Sequence, residues 1–166
     1  MANVVRDLVD ISGIAEIFPV CPKAFTEMSI MENITIPSPK PDVEQILRVI
    51  AEIKVISKRV VETPIGKSSS GIVSTGVKLI IELCLKEKII YVADEPSQPV
   101  HAAEFEKIFS SYIIIPKLTV PITPSLPELI TVEAFIEDIF IKLIDKRNIF
   151  KNITIFINAN SNIFIY

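Results

Sequence analysis

Apolar and polar residues alternate with a period of two through the middle of the chain, and this period most constrains the fold. Val77, Leu79, Ile81, Leu83 and Leu85 share one parity, opposed by Lys78, Ile80, Glu82, Cys84 and Lys86. Successive side chains of a β-strand point to opposite faces, so the run predicts a half-buried antiparallel strand. Val49, Ala51, Ile53 and Val55 repeat the pattern against Ile50, Glu52, Lys54 and Ile56. His101, Ala103, Phe105, Lys107 and Phe109 alternate with Ala102, Glu104, Glu106 and Ile108, while around Ile153, Ile155 and Ile157 both faces are apolar.

Two segments compete with that period. Val132, Ala134 and Ile136 hold one parity but Ile139, Ile141 and Leu143 the other. A bulge near Glu137 and Asp138 would keep one face buried, and a helix is the rival reading. Val43, Ile46, Leu47 and Ile50 fall at helical spacing behind Pro41 and Asp42, which predicts one short helical turn opening into a strand. Proline is frequent (12) and glycine scarce (4), so many short elements joined by stiff connections are expected. Isoleucine fills 32 positions and tips the balance towards strand.

The expected fold is therefore all-β: an antiparallel β-sandwich or flattened barrel with one short helical turn and Pro-rich arms. The arms or covering loops are the first 35 residues and the stretch from Lys117 to Pro127. Boundaries follow at 1–35 for an N-terminal arm with the first strands, 36–158 for the main β domain, and 159–166 for an apolar tail or edge strand.

A chain of 166 residues fits one core. The net charge of −3 offers no basic field for phosphates, so nucleic acid is not an expected partner. Hydrophobic residues reach 49%, yet charges cut every apolar stretch short of the roughly 18 residues a spanning helix needs, so no membrane span is expected. Arg6, Asp7 and Asp10 interrupt the region where a secretory signal would lie, which points to synthesis in a cytosol. Cys21 and Cys84 lack metal-type spacing and indicate no disulfide framework; one bridge, within or between chains, stays open.

No constellation for catalysis emerges. His101, the single histidine, has no neighbouring base or nucleophile in sequence and reads as structural. Glu104 and Glu106 point one way on a strand and read as a solvated face; no metal or cofactor site is expected. Gly66 to Gly71 fails the phosphate-loop pattern and reads as a hairpin tip. Glu133, Glu137 and Asp138 lack the aromatic platform of a glycosidase. The chain is not expected to be an enzyme.

The run Asn33-Ile34-Thr35-Ile36-Pro37-Ser38-Pro39-Lys40-Pro41-Asp42-Val43-Glu44-Gln45-Ile46-Leu47-Arg48 resembles the opening signature of the SPOCS domain family of clostridial spore-coat and spore-morphogenesis proteins. Ile89 to His101 resembles that family's central strand and turn, and Phe105 to Phe109 its next strand. The likeness spans roughly residues 5 to 158. The signature residues Pro37, Pro39, Pro41, Asp42, Glu44, Gln45, Ile46 and Leu47 suit a structural role. Prolines fix an extended entry, Asp42 can cap the following turn, and Ile46 and Leu47 can plug the end of the sandwich.

The resemblance implies a non-enzymatic role in the endospore shell, made in the mother-cell cytoplasm and deposited on the spore surface, in coat or exosporium. Longer family members carry further domains or a LysM module; a chain ending soon after residue 158 is expected to be a small repeating subunit. Its expected partners are copies of itself, as a homo-oligomer or polymer, or other spore-coat proteins. An adaptor that binds one coat morphogenetic protein is the second reading, and a carbohydrate-binding sandwich a third. The candidate assembly contacts are the apolar tips at both ends and the outward Ile50, Ile56 and Ile80, with cover by an arm as the alternative, and the terminal Ile163, Phe164, Ile165 and Tyr166, either as an exposed β edge or as a strand closing its own sheet.

Overall fold

The computed structural model describes residues 2–165. Its strands are β1 (Ala2–Arg6), β2 (Val9–Ile14), β3 (Ala24–Thr35), β4 (Val43–Lys67), β5 (Val73–Ala93), β6 (Val100–Ile114), β7 (Lys117–Leu118), β8 (Thr131–Leu143), β9 (Asn148–Asn160) and β10 (Phe164–Ile165), with one 3₁₀ turn at Leu126–Leu129. The all-β reading holds. One eight-stranded sheet runs β3-β9-β8-β2-β4-β5-β6, with β1 on β2, and β7 and β10 form a separate small pair.

The sheet folds over so that the β3-β9-β8 half faces the β4-β5-β6 half. Leu79, Ile81, Leu83, Leu85, Ile89 and Tyr91 of β5 meet Ile149, Ile153, Ile155 and Ile157 of β9 in one core, all essentially inaccessible to solvent. It is not a closed barrel: β3 and β6, the two ends of the sheet, do not pair. Nor is it wholly antiparallel, as expected from sequence. β2 pairs in parallel with β4 through Asp10–Ser12 and with β8 through Ile14. Gly13 is the point where β2 passes from one half to the other, with φ of +116°.

The helical turn expected after Asp42 is a correction: Val43 already belongs to β4 and pairs with Ala93 of β5. Register shifts between Val43 and Gln45 and between Ile46 and Arg48 insert extra residues, so Val43, Ile46 and Val49 all point inward at a spacing of three. Two bulges therefore imitate helical periodicity. The bulge expected in β8 is present, between Ile136 and Asp138, and keeps Ile136 and Ile139 in the core.

The segment read as N-terminal arm and first strands carries β1 to β3, and its Ile11, Ile14, Ala24 and Ile30 sit in the core. The Pro-rich stretch after β6 covers one end, with Leu126 buried and Leu118, Val120 and Ile122 packed on the core. β10 pairs with β7 of its own chain, burying Ile163 and Phe164 and leaving Ile165 half exposed; Tyr166 lies outside the described residues.

Candidate functional site

The signature residues converge on one end of the domain, where three connections meet. Residues 36–42 link β3 to β4, and their prolines supply carbonyls without matching N–H groups. Arg147, in the β8–β9 turn, satisfies those carbonyls. Its Nη2 donates to the carbonyls of Ile36 (3.2 Å), Pro37 (2.9 Å) and Lys40 (3.0 Å), and its Nη1 to the Asp42 carboxylate. Backbone bonds from Ile36 N to Arg147 O (2.8 Å) and from Val43 N to Lys146 O (2.7 Å) fix the two segments together.

Asp145 shapes the turn that presents Arg147. It accepts from the Asn148 side chain (2.8 Å) and from the backbone N–H groups of Arg147 (2.9 Å) and Asn148 (2.8 Å). Those bonds, the Asn148 side chain first, hold its carboxyl below the ordinary aspartate range. The third connection, 94–99, docks through Asp94 N to Asp42 O (2.9 Å) and a Lys146–Asp94 ion pair. Buried Tyr91 donates its hydroxyl to Pro41 O (3.2 Å), and Gln98 donates to Glu44 (2.8 and 2.9 Å).

The signature is thus a structural clamp, with its side chains divided between inside and outside. Ile46 is buried and Leu47 half-buried, while Pro37, Pro39, Glu44 and Gln45 face solvent. Asp42 serves as the Arg147 partner, where the sequence suggested a helix cap. Arg147→Lys should cost about 1–3 kcal/mol, because an ammonium cannot serve three carbonyls and a carboxylate in one plane; urea melts would record a lower midpoint at unchanged slope.

A second polar constellation lies inside the fold, where the two halves meet. Lys151 of β9 pairs with Glu87 of β5 and with Glu32 of β3 (2.7 Å), and Lys107 of β6 pairs with Glu32. The Lys151 and Glu87 side chains are each 1% exposed. Burial pushes the Glu87 carboxyl up by more than Lys151 draws it down. Burial also acts upward on Glu32, but hydrogen bonds from Lys107 and Lys151 outweigh it and leave its carboxyl below the usual glutamate range. Each of the four groups has an opposite charge, so the network latches β3 to β6 across the open side of the sheet.

The other residues singled out from sequence are scattered. His101 stacks on Tyr91 with ring centroids 6.0 Å apart. Glu104 and Glu106 pair across strands with Lys88 (3.0 Å) and Lys86 (3.2 Å) on the outer face. The Gly66–Gly71 segment is the β4–β5 hairpin tip. Ile56 is exposed, whereas Ile50 and Ile80 are half-buried. Cys21 is exposed and Cys84 buried, both as free thiols. Burial, then a hydrogen bond to Glu106, raises the Cys84 thiol above its ordinary range. Of the two, only Cys21 is presented for a bridge between chains.

Arg147, Lys151, Glu87 and Gly13 were not singled out from sequence. Parity alone could have flagged the buried ions: Glu87 continues the inward series Leu83, Leu85, and Lys151 falls between Ile149 and Ile153. No sequence signal places Arg147 beside residues more than a hundred positions away.

No curated protein and no solved structure matches the chain. A family model described as the SipL, SPOCS domain matches residues 42–144. The match begins at the clamped Asp42, takes in β4, β5, β6 and β8, and ends just before the turn that carries Arg147. It covers more than half of the chain, which therefore belongs to the SPOCS domain family and takes a sporulation-related role.

Proposed function

We propose that this chain is a non-enzymatic structural protein of the endospore surface that assembles with copies of itself. One observation carries the reading: large apolar side chains stand in water although the core is already filled. Val20 is 92% exposed, Ile17 and Ile65 81% and Leu8 80%. Single exposed apolar residues are ordinary, but several exposed together, as Ile65, Ile72 and Val73 are near the β4–β5 tip, are what a contact surface would present. β3 and β6 add two long strands at the ends of the sheet, and strand edges of this kind invite pairing with a neighbouring chain.

The residues that would argue for chemistry have packing partners: His101 rests on Tyr91, and Glu104 and Glu106 are matched by lysines. Among the described residues no helix is long and apolar enough to cross a membrane. The proposal places the chain in coat or exosporium, among other coat proteins, a reading supported by the family's sporulation-related role.

Light scattering and negative-stain microscopy of the purified protein test the proposal. Sheets, rings or filaments are expected, and loss of order with reductant would assign Cys21 to the contact. A monomer of 18.5 kDa at high concentration would overturn it. The second reading, an adaptor for one coat morphogenetic protein, would then lead, favoured by the rigid signature end with its exposed prolines and Glu44.

A further inference from the structure

We infer that the outward row Phe25–Asn158–Glu133, across β3, β9 and β8, binds an arginine side chain of another protein. Asn158 pairs in register with Phe25 on one side and with Glu133 on the other. Directly opposite side chains on neighbouring strands stand roughly 5 Å apart, so a ring, an amide and a carboxylate lie side by side. Glu133 reads from sequence as an acid without an aromatic platform; β3 and β9 bring one to it.

Asn158 is 6% exposed, and among the described residues no group hydrogen-bonds its side-chain amide. A buried amide left unpaired is costly, and a ligand that pairs with it removes that cost. The amide opens on a hollow of about 230 Å³ under residues 19–23. Beside it, Phe25 stacks on Phe156 (5.3 Å) and remains 45% exposed, while Phe18 closes over Phe135 (5.8 Å).

The charge on this face selects a cation. Glu27 in the next row and Glu137 in the β8 bulge join Glu133, and among the described residues none of the three has an ion pair. Burial, then the Glu27 carboxylate, pushes the Glu137 carboxyl up; a bound cation relieves that repulsion and a neutral ligand does not. Asp138, one row further, already has Arg6, and Lys23 on the opposite flank has a partner of its own. Lys142 shares the face but lies roughly 30 Å along β8 from Glu133, far beyond a Debye length of about 8 Å.

A guanidinium suits the row better than an ammonium. It is planar, offers a fork of donors to carboxylate and amide oxygens together, and stacks on an aromatic ring. Exposed Ile17 (81%) and Val20 (92%) on the β2–β3 connection give apolar neighbours of that arginine a surface to pack on. The arginine comes from a different protein, because all four of this chain are engaged: Arg6 by Asp138, Arg48 by Asp10, Arg59 by Glu82 and Arg147 by Asp42.

Fluorescence anisotropy of a labelled peptide of alternating arginine and leucine, titrated with the full chain, tests this. A citrulline counterpart keeps the shape without the charge and should not bind. Glu27→Gln/Glu133→Gln should weaken the arginine peptide about tenfold or more, because hydrogen bonds to charged groups are lost. Glu62→Gln/Glu95→Gln makes the same change in net charge at exposed positions off this face and should leave binding unchanged. Asn158→Leu should weaken binding without lowering the melting temperature, since it removes an amide that nothing in the fold satisfies. Equal losses in the two glutamine pairs, a citrulline peptide that binds as tightly, or no binding by the wild type would overturn the proposal. Wild-type polymers that Glu27→Gln/Glu133→Gln alone disperses would give the face to a second copy and overturn it as well.

Discussion

Lys151→Ala is expected to destabilise the fold by about 3–5 kcal/mol, because it leaves Glu87 buried without its counter-ion. At roughly 2–4 °C per kcal/mol for a chain of this size, the melting temperature should fall by about 6–20 °C. Burial already disfavours the charged form of Glu87, and its partner is the largest influence opposing that cost. The double variant Lys151→Met/Glu87→Leu should recover most of the loss, since it removes both buried charges and keeps the volume, while Glu32 retains Lys107. Thermal melts of Lys151→Ala and the double variant would check this; a double variant as unstable as Lys151→Ala would refute it. Glu32 supplies the pH dependence. Its lowered carboxyl contributes stability that is complete above the unfolded glutamate value of about 4.3 and is lost as pH falls through its folded value. Glu87, being raised, works in the opposite sense, so within this network the acid limb belongs to Glu32, alongside the similarly lowered Asp145 of the β8–β9 turn.

Gly13→Ala should be comparably damaging, about 3 kcal/mol or more, for a reason confined to the backbone. Gly13 combines φ of +116° with a carbonyl neighbour: a Cβ there would overlap the Ala51 oxygen. No side chain can move aside, because the obstacle is the main chain of β4. The strain falls where β2 crosses from β4 to β8, so relief requires one of those pairings to open. Gly71→Ala is the control. Its φ of +89° carries conformational strain of about 1–2 kcal/mol, but a Cβ would meet nothing within 4 Å. Chemical denaturation should separate the two by a clear margin; equal losses would mean that the close approach to β4 does not matter.

The signature end joins these tests to function. The Arg147 clamp gives the Pro-rich run 36–42 a rigid form, and that end carries Val100, Ile144, Glu44 and Glu95 on its surface. A weakened clamp should therefore disturb that surface as well as lower stability.

Strand content, the facing of β5 and β6, the β8 bulge and the hairpin tip were legible in the sequence because each depends on local parity. Where both faces of a strand segment differ in polarity, burial leaves its mark at a spacing of two. Helical spacing misled at Val43, Ile46, Leu47 and Ile50, because bulges change the strand spacing and only the pairing partner on β5 reveals them. The tertiary structure alone decided the parallel placement of β2, the Lys151–Glu87–Glu32–Lys107 network and the hold of Arg147 on the signature run. Each joins residues far apart in the chain, and no local period records which distant charge or carbonyl a side chain will meet.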